Sequence, residues 1–182
     1  MLVSEYAQVL ATYAQAFNEN IVQRVPCDKT KLWKKPELGQ FKINVDVSWL
    51  AASRQASIGV IARDQHGLMV DGCARILAGS HSAETTEACA FAAGIQMVVA
   101  NGWENMIIEG DAIAMVNRLC NERPDFSVVG SYLAETRALL AAHPTLRVRH
   151  VARLANTVAH EMAHHCLDTL TDYYFDGCNS PF

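Results

Sequence analysis

Three acidic residues stand in unusual places. Asp46 sits between Val45 and Val47, inside a segment that alternates apolar and polar residues. Glu87 lies on a helical segment whose apolar stripe is Ala83, Ala90, Phe91, Ile95 and Val98. Asp111 follows the apolar run Met106-Ile107-Ile108, at the junction between two elements. A carboxylate beside core-forming residues loses hydration, which is costly unless a partner or a cation compensates. An all-oxygen donor set suits a hard divalent cation such as Mg²⁺ or Mn²⁺. Taken singly, each residue could equally be a strand or helix carboxylate facing water, so residue type alone leaves both readings open.

A second arrangement competes for attention. His160-Glu161-Met162-Ala163-His164 matches H-E-x-x-H. On a helix that spacing puts two histidines on one face, with a glutamate placed to activate a zinc-bound water, as in a metalloprotease. No glutamate follows Glu161 to serve as a third ligand, and Leu167 stands where the extended motif has glycine. The zinc metalloprotease is therefore the minor alternative, and His164 is expected to point away from the carboxylates.

The elements that must carry these residues follow from periodicity. Val3, Tyr6, Val9, Leu10, Tyr13 and Phe17 recur at helical spacing, and the helix ends near Asn20. Residues 24–39, with Pro26, Pro36 and the lysines Lys29, Lys31, Lys34 and Lys35, read as a linker. This divides the chain into a helix and linker (1–39), a main domain (40–170) and a patternless polar and aromatic tail (171–182). Phe41, Ile43, Val45 and Val47 alternate with Lys42, Asn44, Asp46 and Ser48, the period of a two-faced strand. Strands over 57–63 and 68–77 follow, joined by a turn at Asp64-Gln65-His66-Gly67, and short spacing makes the first three strands an antiparallel meander. A helix over 83–100 stops at Asn101-Gly102. Then come a strand at 106–109, helices over 112–121 and 128–142, a strand at 146–150, and a helix over 156–170.

Composition bounds the function classes. At 51% hydrophobic and 19% charged residues, the 182-residue chain is globular rather than disordered. No apolar run reaches membrane-spanning length, and Glu5 interrupts any signal-like start, so an intracellular, nuclear or cytoplasmic setting is expected. Six scattered cysteines form no C-x-x-C pair, and most should be small buried residues. A net charge of -4 argues against tight, charge-driven binding to nucleic acid but leaves room for an enzyme that brings cations to phosphate.

The blocks around the acidic residues resemble one family in order. Lys42-Ile43-Asn44-Val45-Asp46 resembles the first strand of the ribonuclease H superfamily, whose plant retroelement-type branch reads K-x-N-x-D. Thr86-Glu87-Ala88 is similar to its A-E-A, and Ile108-Glu109-Gly110-Asp111 to its V-E-S-D. His150-Val151, Arg153, Asn156, Ala159-His160 and Met162-Ala163 resemble H-V-x-R-x-x-N-x-x-A-H-x-L-A, and Leu32-Trp33-Lys34-Lys35-Pro36 resembles the branch's W-x-x-P lead-in.

This resemblance implies an α/β ribonuclease H-like fold. Its five-stranded mixed sheet has three antiparallel strands and then two further strands, with helices on both faces. It implies hydrolysis of the RNA strand of an RNA–DNA hybrid with two Mg²⁺ (or Mn²⁺) ions, which activate water and stabilise the leaving oxygen. Asp46 would bridge both ions. Glu87 and Asp111 would complete the shells, with Glu87 near the ribose 2′-OH that marks RNA. His150 would shuttle protons. His160 holds the position of the family's fourth carboxylate, a ligand that adds no charge and tilts preference toward Mn²⁺. Glu109 would support the site from behind, and Lys29–Lys35 or Arg147, Arg149 and Arg153 could meet the hybrid. Trp49 and Trp103 read as packing rather than base-stacking residues. One departure is Val47, where the family has glycine. The alternative is a weak or inactive relative kept as a nucleic-acid-binding or interaction domain, since fold and motif are shared by both. Oligomeric state is not legible.

Overall fold

The computed structural model describes residues 32–79, 82–121 and 123–176. The helix read at residues 3–17, residues 24–31 of the linker, Cys27, Cys178 and residues 177–182 lie outside the described residues.

Six strands form one mixed sheet: β1 (Phe41–Leu50), β2 (Gln55–Arg63), β3 (Met69–Leu77), β4 (Met106–Gly110), β5 (Arg147–His150) and β6 (Tyr173–Asp176). Their spatial order is β5-β4-β1-β2-β3-β6. β1, β2 and β3 pair antiparallel, as short turns allow. β4 lies parallel beside β1 and β5 parallel beside β4, each reached by a helical crossover. Gly67 supplies the positive φ (83°) that the β2–β3 turn requires.

β1 is central, so both of its faces are covered. Ile43 and Val45 point into the larger core with Ile58 and Val60 of β2 and Ile108 of β4. That core is closed by α1 (Ala83–Asn101), α2 (Ile113–Cys120) and α3 (Val128–Ala142), with Phe91, Ile95 and Leu133 fully buried. Each such side chain contributes about 1.5–3 kcal/mol by leaving water. The opposite face carries α4 (Thr157–Thr169), where Ala159, Met162 and Cys166 pack on Ile61, Ala74 and Phe175. Helices therefore cover both faces of the sheet, as expected.

The expected count of five strands is corrected to six. β6 lies in the segment read as patternless. It is only four residues long, too short to count a period, and it is made by its partner: it pairs antiparallel with β3 (Cys73 with Tyr174) while Phe175 inserts under α4. Such an edge strand is a tertiary event rather than a local preference.

α4 lies very close to the sheet. A Cβ on Gly59 would stand 2.2 Å from the Ala159 carbonyl oxygen and 2.8 Å from the Ala163 nitrogen. Ser57 Oγ donates to the Ala163 carbonyl at 2.6 Å across the same seam. Because Gly59 pairs with Asp46, this contact also fixes the start of α4 against the acidic residue of β1. Of the described cysteines, Cys73 and Cys166 are buried, Cys89 is half-buried and Cys120 is exposed. No helix among the described residues is long and apolar enough to cross a membrane.

Candidate active site

The alternation of β1 dictates where Asp46 goes. With Ile43 and Val45 turned to the larger core, Asn44 and Asp46 must face α4, and both are buried. Asp111 leaves the end of β4, one strand over. Glu87 comes from the second turn of α1, whose start is fixed twice. Ser82 caps it by accepting from the Thr85 N–H at 3.1 Å, and Arg118 of α2 grips Glu84 as well as Asp125.

Asp46, Glu87 and Asp111 offer carboxylate oxygens that all lie within 4.8 Å of one another. The Asp46 side chain is inaccessible to solvent. Its Oδ1 accepts from the Val47 N–H at 2.7 Å, but Oδ2 is buried with no hydrogen-bond partner. Burial pushes the Asp46 carboxyl up to about 7, helped by the neighbouring Asp111 charge and opposed by the Val47 N–H, Arg153 and Asn156. Burial likewise lifts Glu87 to about 8, with Asp46 and then Asp111 adding repulsion. Three oxygen donors this close, one with an unused buried oxygen, fit a hard divalent cation.

Two further side chains reach the cluster from the α4 side. Arg153 donates from Nη1 to Asp111 Oδ2 at 2.9 Å and lies 4.0 Å from Asp46 Oδ1. Its Nη2 stands 3.0 Å from Nδ1 and 3.2 Å from Nε2 of His160. A guanidinium can only donate, so the imidazole presents an unprotonated nitrogen to it. Burial and the Arg153 charge accordingly hold His160 below its ordinary value. His160 Nδ1 is 3.6 Å from Asp46 Oδ2, the unpartnered oxygen.

The other sequence-selected residues fall around this cluster. His150 is exposed at the end of β5, paired with Gly110 just before Asp111. Glu109 forms an ion pair with Lys42 at 2.8 Å and approaches the Asn44 amide, one layer below the carboxylates. His164 turns to Asp168 at 2.8 Å, so the two H-E-x-x-H histidines engage different partners and Glu161 is exposed. Arg147 and Arg149 are exposed on β5. Trp103 stacks on Phe41, and Val47 packs into the larger core.

Sequence reasoning assigned no task to Asn156, Asn44 or Arg63. Asn156 holds the N-cap position of α4, but its side chain makes no capping hydrogen bond. Its amide donates to the Val45 carbonyl at 2.8 Å and its oxygen accepts from Asn44 at 3.1 Å, which ties α4 to the strand next to Asp46. Arg63 donates to Asn44 Oδ1 at 2.7 Å and lies 3.6 Å over the Trp33 ring. The available signal was Asn44 itself, an amide in mid-strand two residues from Asp46 on the same face.

The six-stranded order, the crossovers and a carboxylate cluster at the middle of β1 and just past the end of β4 define a ribonuclease H-like α/β protein. The family model described as reverse transcriptase-like matches residues 44–166, and the chain belongs to that family, within the ribonuclease H-like superfamily. No protein of curated function matches it in sequence. Among solved structures, the RNase H1 of the halophilic archaeon Halobacterium salinarum NRC-1 superposes with a TM-score of 0.64 at 18% identity, over 71% of this chain and 98% of that one. LC11-RNase H1 in complex with an RNA/DNA hybrid gives 0.63 at 16% identity, over 71% and 98%. The foamy viral protease-reverse transcriptase in complex with dsDNA gives 0.55 at 13% identity, over 71% and 94%.

Proposed function

We propose that this chain is a divalent-cation-dependent endonuclease that hydrolyses the RNA strand of an RNA–DNA hybrid. The observation that carries this reading is the convergence of Asp46, Glu87 and Asp111 with a buried Asp46 oxygen left unpartnered. Such a cluster is expensive to fold around without a cation. Family membership and the likeness to an RNase H1 held on a hybrid support the substrate class.

In this reading Asp46, Glu87 and Asp111 hold Mg²⁺ or Mn²⁺, with His160 beside Asp46 as a further, neutral donor. Ions held there would supply Lewis-acid activation of water and charge stabilisation of the departing oxygen. Asp46 is the rigid member, fixed by the Val47 N–H and by the strand position that Asn156 clamps. Glu87 and Asp111 are partly accessible and border the mouth where a phosphate and its ribose would enter. His150, exposed on the next strand end, is placed to take up or return a proton. The main domain would run over residues 40–170, with β6 beyond it adding the edge strand of its sheet.

The test is incubation of the purified chain with labelled RNA–DNA hybrid, RNA duplex and DNA duplex, each with Mn²⁺, Mg²⁺ or EDTA. Hybrid-selective cleavage that needs the cation is expected. Asp111→Asn should slow it by about 10²–10⁴-fold, the equivalent of losing several kcal/mol of charge stabilisation. Cleavage that persists in EDTA or in Asp111→Asn would sink the assignment.

A further inference from the structure

The carboxylate cluster already contains a positive charge. Arg153 lies on the short helical turn Arg153–Ala155 that leads into α4. Its Nη1 donates to Asp111 Oδ2 at 2.9 Å and stands 4.0 Å from Asp46 Oδ1, so it sits against two of the three clustered carboxylates. The Arg153 side chain is 60% exposed, whereas those of Asp46 and Asp111 are 0% and 11% exposed. The guanidinium therefore reaches in from solvent, and it can withdraw without disturbing the core.

A cation bound by the cluster would share Asp111 with this guanidinium. Hard cations sit about 2.0–2.6 Å from their oxygen ligands. A divalent ion and a guanidinium nitrogen on the same carboxylate would then stand only a few ångström apart, in a partly buried setting where screening is weak. Both cannot occupy the cluster without strong repulsion. Around the guanidinium, the charged and titratable groups are Asp46 and Asp111 from the sheet, Glu87 from α1 and His160 from α4. The carboxylates attract it and the neutral imidazole accepts from it.

We propose that Arg153 is a built-in counter-ion that competes with the divalent cation for Asp111, so that cation affinity at this centre is set by release of the guanidinium. The inference rests on the metal-centre reading given above. It assigns Arg153 a task distinct from a simple tie between α4 and β4. A tie that merely organises the carboxylates would raise cation affinity, and a competitor lowers it. The two roles therefore predict opposite signs for the same substitution.

The experiment is calorimetric titration of Mn²⁺ into the full chain, wild type and Arg153→Gln, with Asp111→Asn as the control that assigns binding to the cluster. Arg153→Gln should bind Mn²⁺ about tenfold more tightly, a conservative fraction of the coulombic repulsion between such close charges. Arg153→Lys, whose ammonium keeps the charge on a flexible stem, should fall between the two. Without metal, Arg153→Gln should melt lower than wild type, because the carboxylates lose their counter-ion, and Mn²⁺ should raise its melting temperature by more. Wild-type binding that is unchanged or weakened in Arg153→Gln would overturn the competition while leaving the metal centre standing. Binding absent from every form, or surviving intact in Asp111→Asn, would overturn both.

Discussion

Asp46→Asn is expected to abolish hybrid cleavage and, at the same time, to raise the melting temperature of the metal-free protein. The two effects share one cause. Asp46 is buried beside two other carboxylates, and its Oδ2 has no hydrogen-bond partner. Asparagine keeps the oxygen that accepts from Val47 and removes the charge that burial penalises. Relief of that penalty should stabilise the metal-free fold by about 1–2 kcal/mol, or a few degrees in a protein of this size. The sign of the pH dependence follows from the same groups. Asp46 and Glu87 titrate near 7 and 8 in the folded protein, above the range near 4 of unfolded carboxylates. At these two groups the folded state therefore holds more protons, so the stability they contribute is fully present below about pH 4 and is lost as pH rises toward 8. Asp46→Asn should flatten this slope. Mn²⁺ should oppose it in the wild type, because the cation binds the ionised carboxylates. Thermal melts between pH 5 and 8, in EDTA and in Mn²⁺, read all three outcomes. A variant that melts below wild type in EDTA at pH 8 would contradict the account.

How much of this site was legible depended on how local its causes are. Asp46 could be read because β1 alternates cleanly, which fixes the face of every second residue from sequence alone. Asp111 could be read because an apolar run stops abruptly before it. Helices α1 to α4 were visible in their apolar spacing and their Gly and Pro stops. The sixth strand was not visible, because Tyr173–Asp176 becomes a strand only through β3 and the underside of α4. Arg153 was noted only as a possible contact to the hybrid, since nothing local says that its guanidinium folds back onto Asp111. The same holds for Asn156, whose position before a helix suggests a cap while its side chain serves β1 instead. Local rules fix which face a residue occupies, and long-range packing decides what it meets there.

Gly59→Ala tests that long-range packing directly and should be among the most damaging single changes outside the carboxylates. The added Cβ would lie 2.2 Å from the Ala159 carbonyl oxygen and 2.8 Å from the Ala163 nitrogen. Both obstacles are helix backbone, so no side-chain rotation relieves the clash, and α4 must move off β2. Movement loosens Ala159, Met162 and Cys166 from Ile61, Ala74 and Phe175 and strains the Ser57 hydrogen bond to Ala163. Overpacking of this kind costs about 1–3 kcal/mol, and more where the backbone itself is displaced. The functional loss should be larger than the stability loss. His160 rides on α4, while Asn156 and Arg153 stand just before it, so a shift of roughly 1 Å misplaces every group that meets the carboxylates from that side, and errors of this size cost about 10²-fold in rate. Ser57→Ala is the comparator: it removes one hydrogen bond across the same seam, worth about 1 kcal/mol, without pushing the helix. Melting temperature and hybrid cleavage, measured for both variants at temperatures where each remains folded, separate the two effects. A Gly59→Ala protein that melts and cleaves like wild type would mean that α4 does not press on β2 as described, and that the alignment of His160 with Asp46 does not depend on this glycine.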